Sequence, residues 1–208
     1  MDTTPRIYRP ERTALVFLDP YNDFLAEDGK LWPRLAEVAE ATDLRANLKA
    51  VLAAVRATGI PVVIAPHHRS RPGDFEGWDH PTPYQLGAAQ MKIFEQGSHG
   101  GEWHPDFAPR AGDIVASEHW TASGFAGTDL DYRLKQIGAT HLIFVGLIAN
   151  TCVEGTARAA TDLGYHVTLV RDATAAFSPE AMHAAHEINA PSYAHAVLTS
   201  TDLITQLA

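Results

Sequence analysis

Short runs of apolar residues alternate with longer segments of helical periodicity along most of the chain. The nearly continuous apolar runs, several rich in β-branched residues, predict buried strands. Six such runs occur, at residues 13–19, 60–66, 112–120, 140–146, 165–172 and 195–200. Between them, the periodicity predicts helices at about 35–58, 128–137 and 151–163, with another after Ser178. This alternation is typical of an α/β fold in which helices cover both faces of a parallel sheet.

Turn and capping residues predict where several elements begin or end. Gly59 stands where a glycine commonly follows the last turn of a helix, and Ser178–Pro179 is typical of a helix start. Thr128–Asp131 has the pattern of a capping box. Residues 67–110 form a long excursion rich in Pro, Gly and His, with a helix predicted around 84–94. Long excursions in compact α/β domains usually carry function.

Length and charge limit the possible classes of protein. A chain of 208 residues is typical of one α/β domain, so we expect residues 1–208 to form a single domain. The formal charge of −9 argues against nucleic acid or an anionic membrane as partner, because phosphate would be repelled. No apolar run approaches the roughly 20 residues of a membrane span. A single cysteine and an N-terminus without an apolar signal segment favour a cytoplasmic protein.

The one cysteine, Cys152, comes shortly after the predicted strand 140–146, near the start of the next helix. Ligands of parallel sheets bind beyond the carboxyl ends of the strands. Unpaired N–H groups at a helix start stabilise anions, so we expect them to lower the pKa of the Cys152 thiol and to hold an oxyanion. A free cysteine is also commonly a small buried apolar residue, so a structural role remains open.

Asp19 ends the first predicted strand, at the same edge of the sheet as Cys152. A nucleophilic thiol needs a base within hydrogen-bond reach, and Asp19 is the best candidate for that base. An aspartate at a strand end also commonly caps the following turn. Asp19 alone therefore does not establish catalysis.

Four segments together resemble the isochorismatase-like cysteine hydrolases. They are FLDPYNDF (17–24), SGFAGTDLDYRL (123–134), GLIANTCVEGTA (146–157) and GYHVTLVRDATAAF (164–177). The resemblance implies a Rossmann-like three-layer α/β/α sandwich with a mainly parallel six-stranded sheet, and usually an oligomer. It also implies hydrolysis of a C–N bond in a small amide, carbamoyl or ureido compound or, in a minority of members, cleavage of a vinyl ether.

The resemblance also implies a catalytic triad of Asp, Lys and Cys. Asp19 and Cys152 match two of its positions, and the position of the Lys holds His119. An imidazolium between a carboxylate and a thiolate is favoured in its charged form, so we predict that His119 replaces the Lys. Adjacent strand residues face opposite sides, so Glu118 is the alternative. A purely structural His119, beside an Asp–Cys pair, also remains open.

Further residues are assigned to substrate binding. We expect backbone N–H groups around Ile148 and Cys152 to hold the oxyanion, and Phe24 and Trp78 to form walls of the pocket. The resemblance implies that the peptide bond between Leu147 and Ile148 is cis.

The histidine-rich excursion is a candidate metal site, which we do not favour. Its residues His67, His68, Asp79 and His80 lack the ligand spacing of metal-binding members of the family. Adjacent histidines rarely point at one ion, and a metal site needs a defined ligand number and geometry. We predict no metal and no cofactor.

These observations predict a hydrolase that forms a thioester on Cys152. Asp19 moves the proton, and His119 polarises the arrangement. Two alternatives remain: vinyl ether cleavage with Asp19 as the acid, and a non-catalytic protein that binds a metabolite. We expect a small-molecule substrate, no nucleic acid or membrane partner, and a homo-oligomer, either a dimer or a tetramer. The sequence does not predict which amide is the substrate.

Overall fold

A six-stranded sheet forms the centre of residues 7–208, the part of the chain that a computed structural model describes. Its strand order is β3-β2-β1-β4-β5-β6, and every pairing is parallel. The strands are β1 (Thr13–Leu18), β2 (Val62–Ala65), β3 (Ile114–Val115), β4 (His141–Leu147), β5 (His166–Ala175) and β6 (Ala196–Leu198). The predicted α/β class with a parallel six-stranded sheet is confirmed.

Helices lie on both faces of the sheet. They are α1 (Asn22–Leu25), α2 (Trp32–Ala41), α3 (Leu44–Ala57), α4 (Pro83–Gln90), α5 (Leu130–Gln136), α6 (Glu154–Asp162), α7 (Pro179–His183) and α8 (Ser200–Leu207). Side chains of α2, α3 and α8 share one apolar core, and those of α5 and α6 share the other. Alternate residues of β1 belong to different cores, Leu15 to the first and Val16 to the second. This two-sided burial explains why the strand sequences are continuously apolar.

Several element boundaries differ from the predictions. The segment 35–58 is two helices, because Asp43 adopts a left-handed φ of 51° that ends any continuous helix. Within the predicted strand 112–120, only Ile114–Val115 form a ladder with β2, and His119 makes a single parallel bridge with His67. The final predicted strand, 195–200, stops at Leu198, and α8 follows it unpredicted, although Thr199 begins a capping box there.

The predicted helix starts at Ser178 and at Thr128–Asp131 differ in whether a side chain caps the helix. Ser178 caps α7 as predicted, since its hydroxyl accepts a hydrogen bond from the Ala181 N–H at 3.2 Å. The predicted capping box at Thr128–Asp131 is wrong. Asp129 occupies the N-cap without a side-chain cap, and its carboxylate instead accepts a bond from the Ser117 N–H at 2.7 Å.

The direction of strand order reverses between β1 and β4, and the two strands lie very close there. Gly146 of β4 pairs with Leu18, and a Cβ added to Gly146 would lie 2.2 Å from the Leu18 carbonyl oxygen. Only glycine allows this approach. The residues that follow β1 and β4 therefore emerge side by side, at the point where ligands of such sheets bind.

Within residues 7–208, no helix has both the length and the apolar character needed to cross a bilayer.

Three histidine rings stack along the opposite, amino-terminal edge of the sheet. The ring centroids of His141 and His166 are 4.7 Å apart, and those of His166 and His195 are 4.4 Å apart. Burial lowers the pKa of both His141 and His166; nearby arginines also lower that of His141, and the neighbouring histidines also lower that of His166. These two rings therefore resist protonation in the folded protein.

We expect the free energy of unfolding to fall as the pH drops below about 6.5, the ordinary histidine pKa. The unfolded chain then binds protons that folded His141 and His166 do not, so stability is lost on the acid side. One such histidine contributes at most about 1.4 kcal/mol per pH unit. The free energy of unfolding can be measured with urea at several pH values between about 7.5 and 5.5. It should change less steeply with pH in the His141→Gln/His166→Gln variant than in the native protein. Equal slopes in both proteins would contradict this account.

Candidate active site

Three side chains from different strand ends converge where the strand order reverses. Asp19 follows β1, His119 lies beyond β3, and Cys152 lies in the turn after β4. One donor atom of each residue lies within 4.8 Å of the other two. Asp19 and His119 are fully buried, and Cys152 is 7% exposed. The structure therefore brings together the three residues that the sequence suggested as a triad.

The imidazole of His119 lies between two acceptors. Its Nδ1 is 2.7 Å from the Thr121 carbonyl oxygen and its Nε2 is 3.1 Å from Asp19 Oδ1. A carbonyl cannot donate, so Nδ1 carries a hydrogen. Burial opposes the charged ring, but the carboxylate of Asp19 and these hydrogen bonds outweigh it and raise the pKa of His119. His119 and Asp19 thus form a buried hydrogen-bonded pair in which the charged form of the imidazole is favoured.

Asp19 has one carboxylate oxygen to spare. The residue adopts a left-handed φ of 55°, uncommon for a non-glycine residue. Its Oδ1 faces His119, whereas its buried Oδ2 receives no hydrogen bond from a nitrogen or oxygen donor of the described residues. A buried carboxylate oxygen without such a partner is costly and is well suited to accept a proton.

The surroundings of Cys152 favour the protonated thiol. Burial raises the pKa of Cys152 well above its usual value, and the charge of Asp19 and a hydrogen bond with it act in the same direction. The Thr151 hydroxyl, 3.9 Å from Sγ, and the Ile148 N–H lower the pKa by less. The expectation that a helix start lowers this pKa is wrong, because desolvation and the neighbouring carboxylate outweigh the amide hydrogens.

The backbone around Cys152 is a wider, π-helical turn rather than the predicted first turn of an α-helix. Ala149–Val153 form a π-helical turn, and α6 begins at Glu154. The peptide bond between Leu147 and Ile148 is cis, as the family resemblance implied.

A threonine connects this turn to the segment 123–134. The Thr156 hydroxyl donates to the Cys152 carbonyl at 2.6 Å and accepts from the Gly124 N–H at 2.8 Å. Two of the segments that carry the resemblance are therefore in direct contact.

Glu118 faces away from the thiol. Its carboxylate contacts Arg69 Nε at 2.7 Å and His68 Nδ1 at 3.3 Å. Burial opposes its ionisation, but hydrogen bonds from His68 and Arg69 lower the pKa of Glu118 to about 2. Glu118 does not line the cavity beside Cys152. The structure thus places the charge of His119, not that of Glu118, beside the thiol.

A cavity of about 680 Å³ opens beside Cys152. Seven aromatic side chains line it: Phe24, Phe75, Trp78, Tyr84, Phe94, Trp120 and Phe177. Arg34 is the only Lys or Arg side chain in the described wall, where its guanidinium lies 4.0 Å over the Phe177 ring. Such a mostly apolar cavity with a few polar groups is typical of a small-molecule site.

The residues predicted for substrate binding lie in different places. Phe24 is buried in the cavity wall, and Trp78 lines its mouth at 46% exposure. Ile148 is buried and does not line the cavity, but its N–H lies close enough to the Cys152 sulfur to favour the ionised form.

The sequence did not predict the residues whose contacts join the separate segments of the cavity wall. The Asp23 carboxylate accepts bonds from the Phe94 N–H at 2.6 Å and the Lys30 N–H at 3.1 Å. The ring of His68 stacks on Trp120 at 3.5 Å. Both contacts join segments far apart in the chain, and no local pattern signals them.

His67 adds a neutral group to the cavity wall. Its Nδ1 donates to the His68 carbonyl oxygen at 2.9 Å, and its ring centroid is 5.1 Å from that of His119. Burial lowers the pKa of His67, with the Asp19 carboxylate acting against it. A second imidazolium beside His119 is therefore disfavoured.

Among the residues that the structure describes, Asp19, His119 and Cys152 form the only cluster close enough to share a metal ion. Both His119 nitrogens already contact oxygen acceptors, so an ion there would have to break the pair with Asp19. His67 and His68 do not join such a cluster.

A buried Asp–His–Cys cluster at the switch point of a parallel sheet, open to an apolar cavity, defines an enzyme-like site. The family model described as the isochorismatase domain matches residues 13–202. The chain therefore belongs to the isochorismatase family.

Individual relatives extend this comparison. The ureidoacrylate amidohydrolase RutB of Pantoea ananatis is 30% identical over 183 residues, which cover 83% of this chain and 73% of the relative. A solved cysteine hydrolase from Pseudomonas syringae pv. phaseolicola has a TM-score of 0.79 at 22% identity, covering 99% of this chain and 98% of that one, and shows the same fold. N-carbamoylsarcosine amidase from Thermoplasma acidophilum has a TM-score of 0.65 at 29% identity, covering 91% and 96%.

Proposed function

We propose that this protein is a cysteine amidohydrolase that cleaves a C–N bond of an amide, carbamoyl or ureido substrate through a thioester on Cys152. The observation that carries the proposal is the position of the Cys152 thiol, beside a carboxylate with a spare oxygen and at the end of an apolar cavity. Relatives named for the hydrolysis of ureidoacrylate and N-carbamoylsarcosine support it. Vinyl ether cleavage would leave the Cys152 thiol without a role.

In the first step, the Cys152 sulfur attacks the carbonyl carbon while Asp19 takes the thiol proton. Because the thiol is protonated at rest, attack and proton transfer are coupled. The Ile148 and Cys152 N–H groups stabilise the developing oxyanion. Asp19 then gives the proton to the leaving nitrogen, the C–N bond breaks, and the amine or ammonia departs.

In the second step, water attacks the thioester. Asp19, again a carboxylate, takes a proton from this water and returns one to the departing sulfur. The acid is released and the Cys152 thiol is restored. One carboxylate thus serves both halves of the reaction, without a metal or a cofactor.

His119 supplies a fixed positive charge in place of the family's lysine. Its contact with Asp19 orients that carboxylate, and its charge offsets the negative charge that moves between Asp19 and Cys152 during attack. We therefore assign His119 an electrostatic and positioning role.

Replacing His119 by alanine is expected to lower kcat/KM by roughly 10²–10³-fold, the range for losing one preorganised group that stabilises charge. The alkylation rate of Cys152 by iodoacetamide near neutral pH should fall as well, because the thiolate loses its neighbouring cation. Ammonia release and peptide mass spectrometry measure the two effects.

A buried histidine outside the cavity provides the matched control. His186 is 4% exposed and contacts Thr174 Oγ1 at 3.1 Å, so His186→Ala tests the loss of a buried ring alone. Unchanged hydrolysis and alkylation in folded His119→Ala would remove His119 from the mechanism.

A panel of primary amides and monosubstituted ureas tests the activity itself. We expect ammonia release that requires the native Cys152. No ammonia from any member, together with no acyl adduct on Cys152, would favour a non-catalytic protein that binds a metabolite.

We further propose that residues 1–208 act as one domain in the cytoplasm, as a homo-oligomer without nucleic acid or membrane partners. Exposed apolar side chains outside the cavity support association, among them Tyr132 and Ile188, each 63% exposed. Light scattering in solution measures the oligomeric state. A monomer at micromolar concentration would contradict the proposed homo-oligomer.

A further inference from the structure

The cavity beside Cys152 is far larger than the group that reacts. A water molecule occupies about 30 Å³ in the liquid, so 680 Å³ corresponds to roughly twenty waters. Cavities of this size bind ligands with several rings or a long chain. A carboxamide and a short acid would leave most of the space filled with water.

The wall of the cavity is mostly apolar. Seven aromatic side chains line the space, and the side chains of Met91 and Ile93 add further apolar surface. Trp78 contacts Phe75 and Trp120 edge-on or tilted, with centroids 5.0 and 5.5 Å away. Water in contact with such a wall is readily displaced by an apolar group, which stabilises the complex.

Helix α4 forms a side of the cavity that is incompletely covered. None of its residues is buried, and Tyr84 is 59% exposed although it lines the cavity. Gly87, also in the wall, leaves open space where a side chain would begin. Exposed apolar surface beside a reactive centre marks a place where a ligand binds.

We propose that the substrate is a primary amide or a monosubstituted urea whose substituent is a large apolar body, at least the size of an aromatic ring with its linker, seated against α4 and the Trp78 ring. This inference rests on the proposed function and adds the class of substrate. The carboxamide carbon lies at Cys152, the new S–C bond replaces the C–NH₂ bond, and the thiol proton leaves with ammonia by way of Asp19. Ureidoacrylate, the substrate named for the relatives, lacks such a body.

Binding to an inactive variant tests the proposal separately from catalysis. Cys152→Ala is titrated by calorimetry with two matched pairs: 3-phenylpropanamide against propanamide, and phenethylurea against ethylurea. Burying the phenyl ring should tighten binding at least about tenfold in each pair. The same preference is expected in kcat/KM for ammonia release by the native enzyme.

A substitution in α4 tests where the apolar body lies. Gly87→Leu adds a side chain at a position of the cavity wall where a Cβ meets no atom within 4 Å. It should weaken binding of the phenyl compounds at least about fivefold, while the short compounds change little. Gln90→Leu places the same side chain on an exposed position of the same helix, outside the cavity wall. It should leave the binding of the phenyl compounds and of the short compounds unchanged.

The outcomes separate this inference from the proposed function. Equal binding of phenyl and alkyl compounds would overturn the substrate class, whether or not ammonia is released. Preferential binding of the phenyl compounds by Cys152→Ala, without ammonia release by the native protein, would support the apolar site and count against the amidohydrolase. An equal effect of Gly87→Leu and Gln90→Leu would place the body elsewhere and overturn its assignment to α4.

Discussion

Replacing Asp19 by asparagine is expected to lower kcat/KM for amide hydrolysis by about 10⁴-fold, the scale seen when a buried catalytic aspartate becomes an amide. An asparagine oxygen occupies the same space but cannot take the thiol proton. The change also removes the counter-ion of His119, whose pKa the carboxylate raises. Steady-state ammonia release measures the loss, and thermal unfolding shows whether the variant is folded.

Asp172→Asn is the matched control for this prediction. The Asp172 carboxylate accepts bonds from the N–H of Ser200 at 2.6 Å and from its hydroxyl at 2.9 Å, at a place remote from the cavity wall. Loss of the Asp172 carboxylate should lower the free energy of unfolding more than it lowers the rate of amide hydrolysis. A folded Asp19→Asn variant that keeps more than about a tenth of the native rate would exclude Asp19 as the base.

Replacing Cys152 by serine or alanine is expected to abolish hydrolysis, with a loss on the order of 10⁴-fold or more. The serine hydroxyl ionises far less readily than a thiol, so Asp19 cannot activate it to a comparable extent. The comparison also separates the candidate reactions. If Cys152→Ala were to retain activity that still depends on Asp19, the chemistry would be acid catalysis without a covalent intermediate, as in vinyl ether cleavage.

The convergence of Asp19, His119 and Cys152 could be anticipated because it follows from topology. Continuous apolar runs fix a parallel sheet, and the carboxyl ends of parallel strands share one edge. Asp19 and His119 lie at the ends of predicted strands and Cys152 follows one, so their proximity required no knowledge of loop structure. Gly146 refines this proximity by allowing β4 to approach β1 closely.

Features that depend on three-dimensional surroundings could not be anticipated. The pKa of Cys152 depends on burial and on a carboxylate 133 positions earlier in the chain, as Cys152 and Asp19 are numbered. A helix start is a local signal, and it suggested the opposite direction. The cavity wall likewise depends on contacts such as Asp23 with the Phe94 N–H, which join residues 71 positions apart.

The ends of several helices and strands are likewise only weakly marked in the sequence. The break at Asp43 depends on one residue in a left-handed conformation, within a segment whose apolar spacing continues on both sides. The strand β3 is short because it lies at the edge of the sheet and pairs only with β2. An apolar run alone does not reveal how many of its residues find a partner.

The most direct test of the account is mass spectrometry of the native protein, quenched in acid during turnover of 3-phenylpropanamide or phenethylurea. The account predicts a peptide containing Cys152 that is heavier by the acyl or carbamoyl group, and no such species in Cys152→Ala. Turnover with an unmodified Cys152, at a rate that the Cys152→Ala substitution does not change, would contradict it.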